Sequence, residues 1–375
     1  MNLIIILIIV VYAILVSAFI VGFLKTTKFQ LKNLPVNNSF SILIPFRNEV
    51  ENLPTLLRSI ALLNYPKELF EILLINDASN DNYNSIIDTF IVKNKQLSLR
   101  VLDNIRLSNS PKKDAIKMGI EYSKYNWILT TDADCVVPNL WLRAYDEFIQ
   151  RNNVIFISGP VTFKTKRSFL NKFQLLDFSA LIGSAIGGFG IRRPFLCNGA
   201  NLCYSKNVFN IVDGYSGNNT VASGDDIFLL EKIAAKYPQQ VSYLKSFDVL
   251  VQTTAMNSLK ELLSQRIRWT SKSGSYQNRF AQFVGIVILL MNILFCSIIV
   301  SGVFHPLSKF MIAIISVKIT IDFILVALTL KFKRKPSLLV YYPIVSIIHP
   351  FFNIVVGCMA LFKQKYMWKD RTFLK

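Results

Sequence analysis

Two aspartates separated by one residue, Asp132 and Asp134, follow the apolar segment WILTT, which is typical of a buried strand. Residues two apart share a face of an extended strand, and a turn after the strand would let both carboxylates reach one ion. Carboxylates without histidine or cysteine favour Mg²⁺ or Mn²⁺, with a substrate diphosphate as a further ligand. The pair is therefore a candidate metal site, and its alternative is a solvated loop.

The general base is expected to be a carboxylate, because residues 1–304 contain no histidine. The adjacent Asp225 and Asp226 precede the helical pattern IFLLEKIAA. A helix N-terminus stabilises negative charge, so the two acids either cap this helix or supply the base. Because like charges lie together, the pKa of one of them is expected to rise.

Two further segments carry residues that suit a nucleotide. Lys112 and Lys113 begin a predicted helix, where a lysine and free backbone N–H groups attract a diphosphate. One of the two is expected to be a solvated helix-end lysine. Asp77 ends a predicted strand, where it either accepts a hydrogen bond from a base or ribose or caps the following turn.

Short β-rich segments alternate with amphipathic helical segments between residues 40 and 158. The strands are predicted at 40–46, 70–77, 97–103 and 126–132, and the helices at 51–63, 81–94 and 111–124. This alternation predicts right-handed βαβ units and an α/β fold with a mostly parallel sheet. Ligands of such sheets bind at the carboxyl ends of the strands, where Asp77 and the two aspartates of DAD lie.

The N-terminal segment predicts an uncleaved membrane anchor over residues 1–27. Residues 3–24 carry no charge and are long enough to cross a bilayer. Lys25, Lys28 and Lys32 follow, which places the end of this span in the cytoplasm. A cleaved signal peptide is the alternative, but its apolar stretch would be shorter and its start basic.

The C-terminal membrane region is predicted over residues 281–362 and contains two or three spans. Its apolar stretches are 281–303, 307–330 and 338–362. A full crossing by the last would carry the basic tail, residues 363–375, out of the cytoplasm, against the positive-inside rule. Pro343 and Pro350 interrupt this stretch, so a broken or re-entrant segment is the alternative to a third crossing.

An amphipathic helix over residues 258–280 joins these two regions. Its apolar stripe is expected to lie on the cytoplasmic leaflet, with Arg266 and Lys272 among the basic residues near it. Gln265, Arg268 and Trp269 are spaced at i, i+3 and i+4 on another face, which could close over the crevice. The arginine would neutralise a diphosphate and the tryptophan would stack on a sugar.

The composition argues against a purely cytosolic enzyme and against a disordered chain. The chain has 42 basic and 23 acidic residues, a formal net charge of +19 and a mean hydropathy of +0.39. Basic residues beside apolar stretches are explained by anionic lipid, so no nucleic-acid partner is expected. The five cysteines form no CxxC pair, which argues against a zinc site or a disulfide framework.

The ordered motifs resemble those of membrane-bound glycosyltransferases of family 2, relatives of cellulose and hyaluronan synthases, ceramide glucosyltransferase and bacterial lipid glycosyltransferases. The matching segments are IPFRNE at 44–49, INDASND at 75–81, KKDAI at 112–116, DAD at 132–134, NGANLCYSK at 198–206, SGDD at 223–226 and QRIRW at 265–269. The resemblance implies a cytoplasmic catalytic domain of the GT-A fold, a Rossmann-like mixed sheet, over residues 38–257 and flanked by transmembrane helices.

The resemblance also implies a role for each matching residue. For the donor, the resemblance implies that Arg47 and Glu49 lie beside the uracil and ribose, that Asp77 binds the uridine and that Lys112 binds the diphosphate. It also implies that Asp132 contacts the nucleotide and the metal and that Asp134 binds the metal. For the transfer step, the resemblance implies that Asp226 is the base and that Asp225 lies beside it. It also implies that Asn198, Gly199 and Ala200 line the sugar and acceptor site and that Gln265, Arg268 and Trp269 bind the diphosphate and the acceptor.

The expected reaction is inverting, metal-dependent transfer of a sugar from a UDP-sugar to a lipid-linked or glycan acceptor. The enzyme is expected in the inner or plasma membrane as a multi-pass protein, with the bilayer as a partner and its catalytic domain in the cytoplasm. The alternative is a processive polysaccharide synthase, which would extend and translocate its own product.

Overall fold

The computed structural model describes residues 2–218, 223–272, 277–362, 365–368 and 371–374. The helices are α1 Asn2–Lys25, α2 Leu53–Ala61, α3 Tyr83–Lys93, α4 Pro111–Tyr122, α5 Trp141–Arg151, α6 Phe169–Gly190, α7 Lys206–Ile211, α8 Asp225–Lys236, α9 Leu259–Ser271, α10 Arg279–Phe304, α11 Lys309–Phe332 and α12 Tyr342–Phe362. The strands are β1 Phe40–Phe46, β2 Phe70–Asn76, β3 Ser98–Asp103, β4 Trp127–Thr130, β5 Phe156–Ser158, β6 Val161–Phe163, β7 Leu202–Ser205, β8 Val241–Tyr243, β9 Val251–Thr253, β10 Lys365–Trp368 and β11 Arg371–Leu374.

A seven-stranded mixed sheet in the order β3-β2-β1-β4-β7-β5-β8 forms the centre of the catalytic domain. Strands β1 to β4 pair in parallel, whereas β7 is antiparallel to both β4 and β5. Every residue of β2 is buried, whereas every residue of β3, at the edge of the sheet, is exposed or half-buried. Strands that are buried on both faces have continuous apolar sequences, which is why the sequence predicted β1, β2 and β4 within two residues of their ends.

Helix α6 is a 22-residue apolar helix that the sequence prediction included in the cytoplasmic domain without separating it. It packs against α1 and α11, and it is one of five helices in the described residues that are long and apolar enough to cross a membrane. Glycines make the contact close, because a Cβ at Gly187 would lie 2.4 Å from the main-chain oxygen of Phe19. Small residues at a helix crossing let two backbones approach in this way.

Helices α10 and α11 agree with the two predicted spans, with Phe304 ending one and Lys309 starting the other. Inside this bundle, Lys318 on α11 bonds to Asp322 at 2.7 Å. The second carboxylate oxygen of Asp322 accepts a hydrogen bond from the Tyr12 hydroxyl of α1. The ion pair therefore joins the N-terminal and C-terminal membrane helices.

Helix α12 is continuous, so of the alternatives to a third crossing, a broken or a re-entrant segment, a break is excluded. Pro343 lies in its first turn, where a missing N–H costs nothing, and the helix continues through Pro350. Both ends of α12 lie beside the catalytic domain. Before it, Lys335 donates to the main-chain oxygen of Phe163 at 2.9 Å, and after it β10 packs on α9.

The linking helix α9 is shorter than the predicted segment 258–280 and begins with a Ser258 cap. In its predicted lipid-facing stripe, Leu262 and Ile267 are buried at 0% and 3% exposure, because α9 packs on α12. Arg266 and Lys272 are also buried, so the expectation that these four side chains face the leaflet is wrong. In the predicted basic tail, Lys363, Lys369 and Lys375 lie outside the described residues.

Candidate active site

The residues that the sequence singled out as site residues line one cavity of about 1720 Å³. It opens at the carboxyl ends of β1, β2 and β4 and extends under α9. All fourteen predicted site residues line it, namely Arg47, Glu49, Asp77, Lys112, Asp132, Asp134, Asn198, Gly199, Ala200, Asp225, Asp226, Gln265, Arg268 and Trp269. The strand ends position the donor side of this list and α8 and α9 position the other side.

Asp77 lies directly after β2, but its carboxylate is already engaged. Oδ1 accepts from Asn104 at 3.0 Å and from Arg106 at 2.9 Å, and Oδ2 accepts from Arg371 at 2.5 Å. Arg47 donates to the main-chain oxygens of Asp77 and of Ala78. The donor end of the cavity therefore presents guanidinium groups around one acid. The sequence did not single out Arg106, and it placed Arg371 in the basic tail without assigning it to this site.

Lys112, on α4, connects the two acidic parts of the cavity. Its Nζ lies 2.8 Å from Asp132 and 3.3 Å from Asp225. Burial alone lowers the pKa of this lysine, but the two carboxylates outweigh burial and raise the pKa above its ordinary value. Lys112 is thus a fixed positive charge where a diphosphate would be neutralised.

The neighbouring Lys113 points away from this site. It is buried, donates to the main-chain oxygen of Asn218 at 2.7 Å and lies over the ring of Phe228. Burial lowers its pKa to about 8. The expectation that one of the two lysines is merely solvated is therefore wrong: the second lysine is buried and holds the segment before α8.

The two acids of DAD follow β4 in a turn. Asp132 and Asp134 are both half-buried, and Oδ2 of Asp134 accepts from Thr253 at 2.8 Å. Burial and the Asp132 charge raise the pKa of Asp134 to about 6. Two carboxylates that repel each other and offer oxygen ligands suit Mg²⁺ or Mn²⁺. No cluster of three or more metal-ligating side chains occurs among the described residues, so further ligands would come from substrate and water.

Asp226 is held on both oxygens at the start of α8. Oδ2 accepts from the Gly199 N–H at 3.1 Å, and Oδ1 accepts from the Ile227 N–H at 2.8 Å and lies 3.3 Å from Lys272. Burial raises the pKa of Asp226, but Lys272 and Lys112 reverse this effect and lower it below its ordinary value. Asp226 is therefore ionised and can accept a proton.

Asp225 behaves differently, although it is adjacent in sequence. Burial raises its pKa, and the attraction of Lys112 does not fully offset this effect. A Cβ at Gly199 would lie 2.9 Å from its Oδ2, so a larger residue at this position would displace the carboxylate. The predicted rise of one pKa in this pair is found at Asp225, whereas the pKa of Asp226 is lowered.

Helix α9 contributes Gln265, Arg268 and Trp269 to the cavity wall. A second arginine, Arg266, contacts two of them, Gln265 and Trp269. Its Nε and Nη2 lie 2.9 and 2.7 Å from Asp177 on α6, and its guanidinium lies 4.2 Å from the ring centroid of Trp269. The other oxygen of Asp177 lies 2.9 Å from Nε2 of His349 on α12. The sequence signal that was missed is a lone acid, Asp177, within an apolar helix.

The cavity continues between the membrane helices. Beyond Trp269 it is lined by side chains from α1, α6, α10, α11 and α12, mostly apolar, such as Val16, Ile182, Val284, Ile288, Leu325 and Val356. The polar residues Tyr12, Lys318 and Asp322 line the same space. The reacting groups therefore share one continuous cavity with an apolar chamber.

A mixed sheet with β1 to β4 parallel, an acid pair after β4 and a buried acid at the start of α8 defines a GT-A-fold glycosyltransferase. The fold agrees with a solved mannosyltransferase from Pyrobaculum calidifontis in complex with GDP-Man and Mn²⁺. The two chains are 13% identical, each is 95% covered, and the TM-score is 0.51. This likeness supports the fold.

The chain belongs to glycosyl transferase family 2. The family model "Glycosyl transferase family group 2" matches residues 127–347, more than half of the chain, and "Glycosyl transferase family 2" matches residues 41–209. The protein is therefore a family 2 glycosyltransferase with helices long enough to cross a membrane.

Curated relatives include the poly-β-1,6-N-acetyl-D-glucosamine synthases of two staphylococci. That of Staphylococcus aureus strain COL is 25% identical over 259 residues, which are 66% of this chain and 58% of the relative. That of Staphylococcus epidermidis RP62A is 29% identical over 168 residues, which are 41% of this chain and 39% of the relative. The matched segments thus span between two fifths and three fifths of these relatives.

Proposed function

We propose that the protein transfers one sugar, with inversion and with the aid of Mg²⁺ or Mn²⁺, from a UDP-sugar to a lipid-linked acceptor at the cytoplasmic face of the inner or plasma membrane. The observation that carries the proposal is the single cavity in which acids from four distant segments meet an apolar chamber between membrane helices. A polar donor end and an apolar far end suit a nucleotide sugar and a lipid, respectively.

Asp226 is the general base. It accepts the proton of the acceptor hydroxyl, whose oxygen attacks the anomeric carbon on the face opposite the diphosphate. The bond from this carbon to the diphosphate oxygen breaks, and its electron pair leaves with UDP. The hydrogen bonds from Gly199 and Ile227 fix the carboxylate, and Lys272 keeps it ionised.

Lys112 neutralises charge that develops on the leaving diphosphate, together with Arg268 at the cavity wall. A metal held by Asp132 and Asp134 would supply Lewis-acid stabilisation of the same charge. Trp269 would stack on the acceptor or donor sugar while Arg266 covers part of its ring system. Gln265, Asn198 and Ala200 line the space between donor and acceptor.

The test is a purified full-length enzyme in nanodiscs, offered a panel of UDP- and GDP-sugars with Mn²⁺ or Mg²⁺ and a membrane lipid extract. We expect one donor to yield a lipid product that is one sugar heavier by mass spectrometry. Asp226→Asn is expected to bind the donor normally and to lower transfer at least 100-fold. Substantial transfer by Asp226→Asn would reject it as the base, and no turnover of any donor would reject the function.

A second candidate function is a processive polysaccharide synthase, which the similarity to the staphylococcal synthases favours. The same assay separates the two, because a processive enzyme gives a ladder of products whereas single addition gives one band. The apolar walls of the far chamber favour single addition to a lipid, since a channel for a growing glycan would need polar and aromatic walls throughout.

A further inference from the structure

The C-terminal hairpin of β10 and β11 connects the membrane region with the donor end of the cavity. It begins three residues after α12 ends, and its two strands pair so that Trp368 lies opposite Arg371. β10 packs on α9, and Arg371 reaches Asp77, 294 positions earlier in the chain. The hairpin therefore extends from the acceptor side of the site to the donor side.

Arg371 binds Asp77 in two places. Its Nη1 donates to the carboxylate Oδ2 at 2.5 Å and its Nη2 donates to the main-chain oxygen at 3.1 Å. The side chains are 17% and 7% exposed, so solvent weakens this ion pair little. Such a two-point contact fixes both the carboxylate and the backbone at the end of β2.

The arrangement leaves Asp77 able to accept one more hydrogen bond. Each carboxylate oxygen has two acceptor positions. Oδ1 uses both, for Asn104 and Arg106, whereas Oδ2 uses one for Arg371 among the described residues. The remaining position on Oδ2 is open to an N–H or O–H of a nucleoside, and Arg371 sets its direction.

We propose that Arg371 is a positioning residue for the donor: it orients Asp77 to accept from the nucleoside and offsets the charge of this acid beside the diphosphate. The inference rests on the proposed function. It also makes the hairpin of β10 and β11, which follows α12, a component of the nucleotide site.

The test is UDP binding in the presence of Mn²⁺, measured by calorimetry on full-length protein in nanodiscs. Arg371→Ala is expected to weaken binding roughly tenfold, as for the loss of one charge-assisted hydrogen bond, and Arg371→Lys to recover part of it. In an Asp77→Asn background, Arg371→Ala should change binding less than about twofold, because the two residues act together. Arg58→Ala, an exposed arginine on α2, is the matched control and should bind as the wild type does.

Two results would overturn the inference. Binding by Arg371→Ala that equals or exceeds that of the wild type would mean that the hairpin is inert or obstructs the donor. An undiminished tenfold loss in the Asp77→Asn background would mean that Arg371 does not act through Asp77. Failure of the wild type to bind any nucleotide would instead reject the proposed function, so the two failures are distinguishable.

Discussion

Replacing Arg266 with leucine is expected to destabilise the protein by about 3–5 kcal/mol, the cost of leaving one partner of a buried ion pair behind. Both side chains of the Arg266–Asp177 pair are 6% exposed, and both hydrogen bonds are shorter than 3 Å. The variant leaves the Asp177 carboxylate buried with His349 as its remaining side-chain hydrogen-bond partner. It also removes the guanidinium from the face of Trp269, which disturbs the acceptor side of the cavity.

The assay is thermal unfolding in detergent, followed by circular dichroism. For a chain of this size, each kcal/mol of destabilisation lowers the unfolding midpoint by roughly 2 °C, so the midpoint of Arg266→Leu should fall by roughly 6–10 °C. Lys260→Leu, an exposed charge on the same helix, is the control and should shift the midpoint by less than 2 °C, in line with the roughly 0.5 kcal/mol typical of surface changes.

The double variant Arg266→Leu with Asp177→Leu makes the test specific. Removing both charges leaves no uncompensated carboxylate, so the double variant should be more stable than Arg266→Leu alone. If Arg266→Leu unfolds within 2 °C of the wild type, or if the two losses simply add, the pair does not hold α6, α9 and α12 together as described.

Three further predictions follow from particular contacts. Lys272→Met removes the cation beside Asp226 and raises the pKa of this acid, so the acidic limb of the kcat/KM profile should move to higher pH, and Lys272→Arg should restore it. The pKa of Asp226 is lower in the folded state than in the unfolded state, so the ionised Asp226 stabilises the fold above the ordinary carboxyl pKa. This stabilisation is lost as the pH falls through the lowered folded-state pKa. In Lys272→Met the folded-state pKa is higher, so acid unfolding should begin at a higher pH. Asp134→Ala should abolish UDP-dependent Mn²⁺ binding measured by electron paramagnetic resonance, and binding that persists would place the metal elsewhere. Gly187→Val should lower the free energy of unfolding by about 1–3 kcal/mol, because the added side chain separates α1 from α6. Gly285→Ala is the control: no atom lies within 4 Å of the added Cβ, so this change should be neutral or stabilising. Equal unfolding midpoints for the two variants would refute the close crossing.

The sequence predicts the donor half of the site well because parallel strands impose their own geometry. Apolar segments separated by helices fix the sheet order locally, and the residue after each strand then lies at one edge. Asp77 and Asp134 follow this rule, and both line the cavity. Their partners cannot be obtained in this way, because Arg371 is 294 positions from Asp77 and no periodicity connects them.

The predicted roles of the basic residues near the membrane fail for a related reason. When the packing around an amphipathic helix is unknown, an arginine in that helix is interpreted as a contact with lipid. Arg266 and Lys272 are buried because Asp177 and Asp226 approach from α6 and α8, which are distant in sequence. A buried cation next to a buried acid is stable only as a pair, so neither half can be interpreted alone.

The contacts at the two ends of α12 bear on the conflict between its hydropathy and the charge of the tail. A helix of 21 residues is about 31 Å long, enough to cross a bilayer or to extend along one face of a domain. Lys335 before α12 bonds to the catalytic domain, and Arg371 after it bonds to Asp77 of the same domain. A domain on one side of the membrane can contact both ends only if α12 returns to that side. We infer that α1, α10 and α11 cross the bilayer and that α12 is re-entrant or lies at the interface. This arrangement would place Lys25, Lys335 and Arg371 on the same side of the membrane, as the positive-inside rule requires.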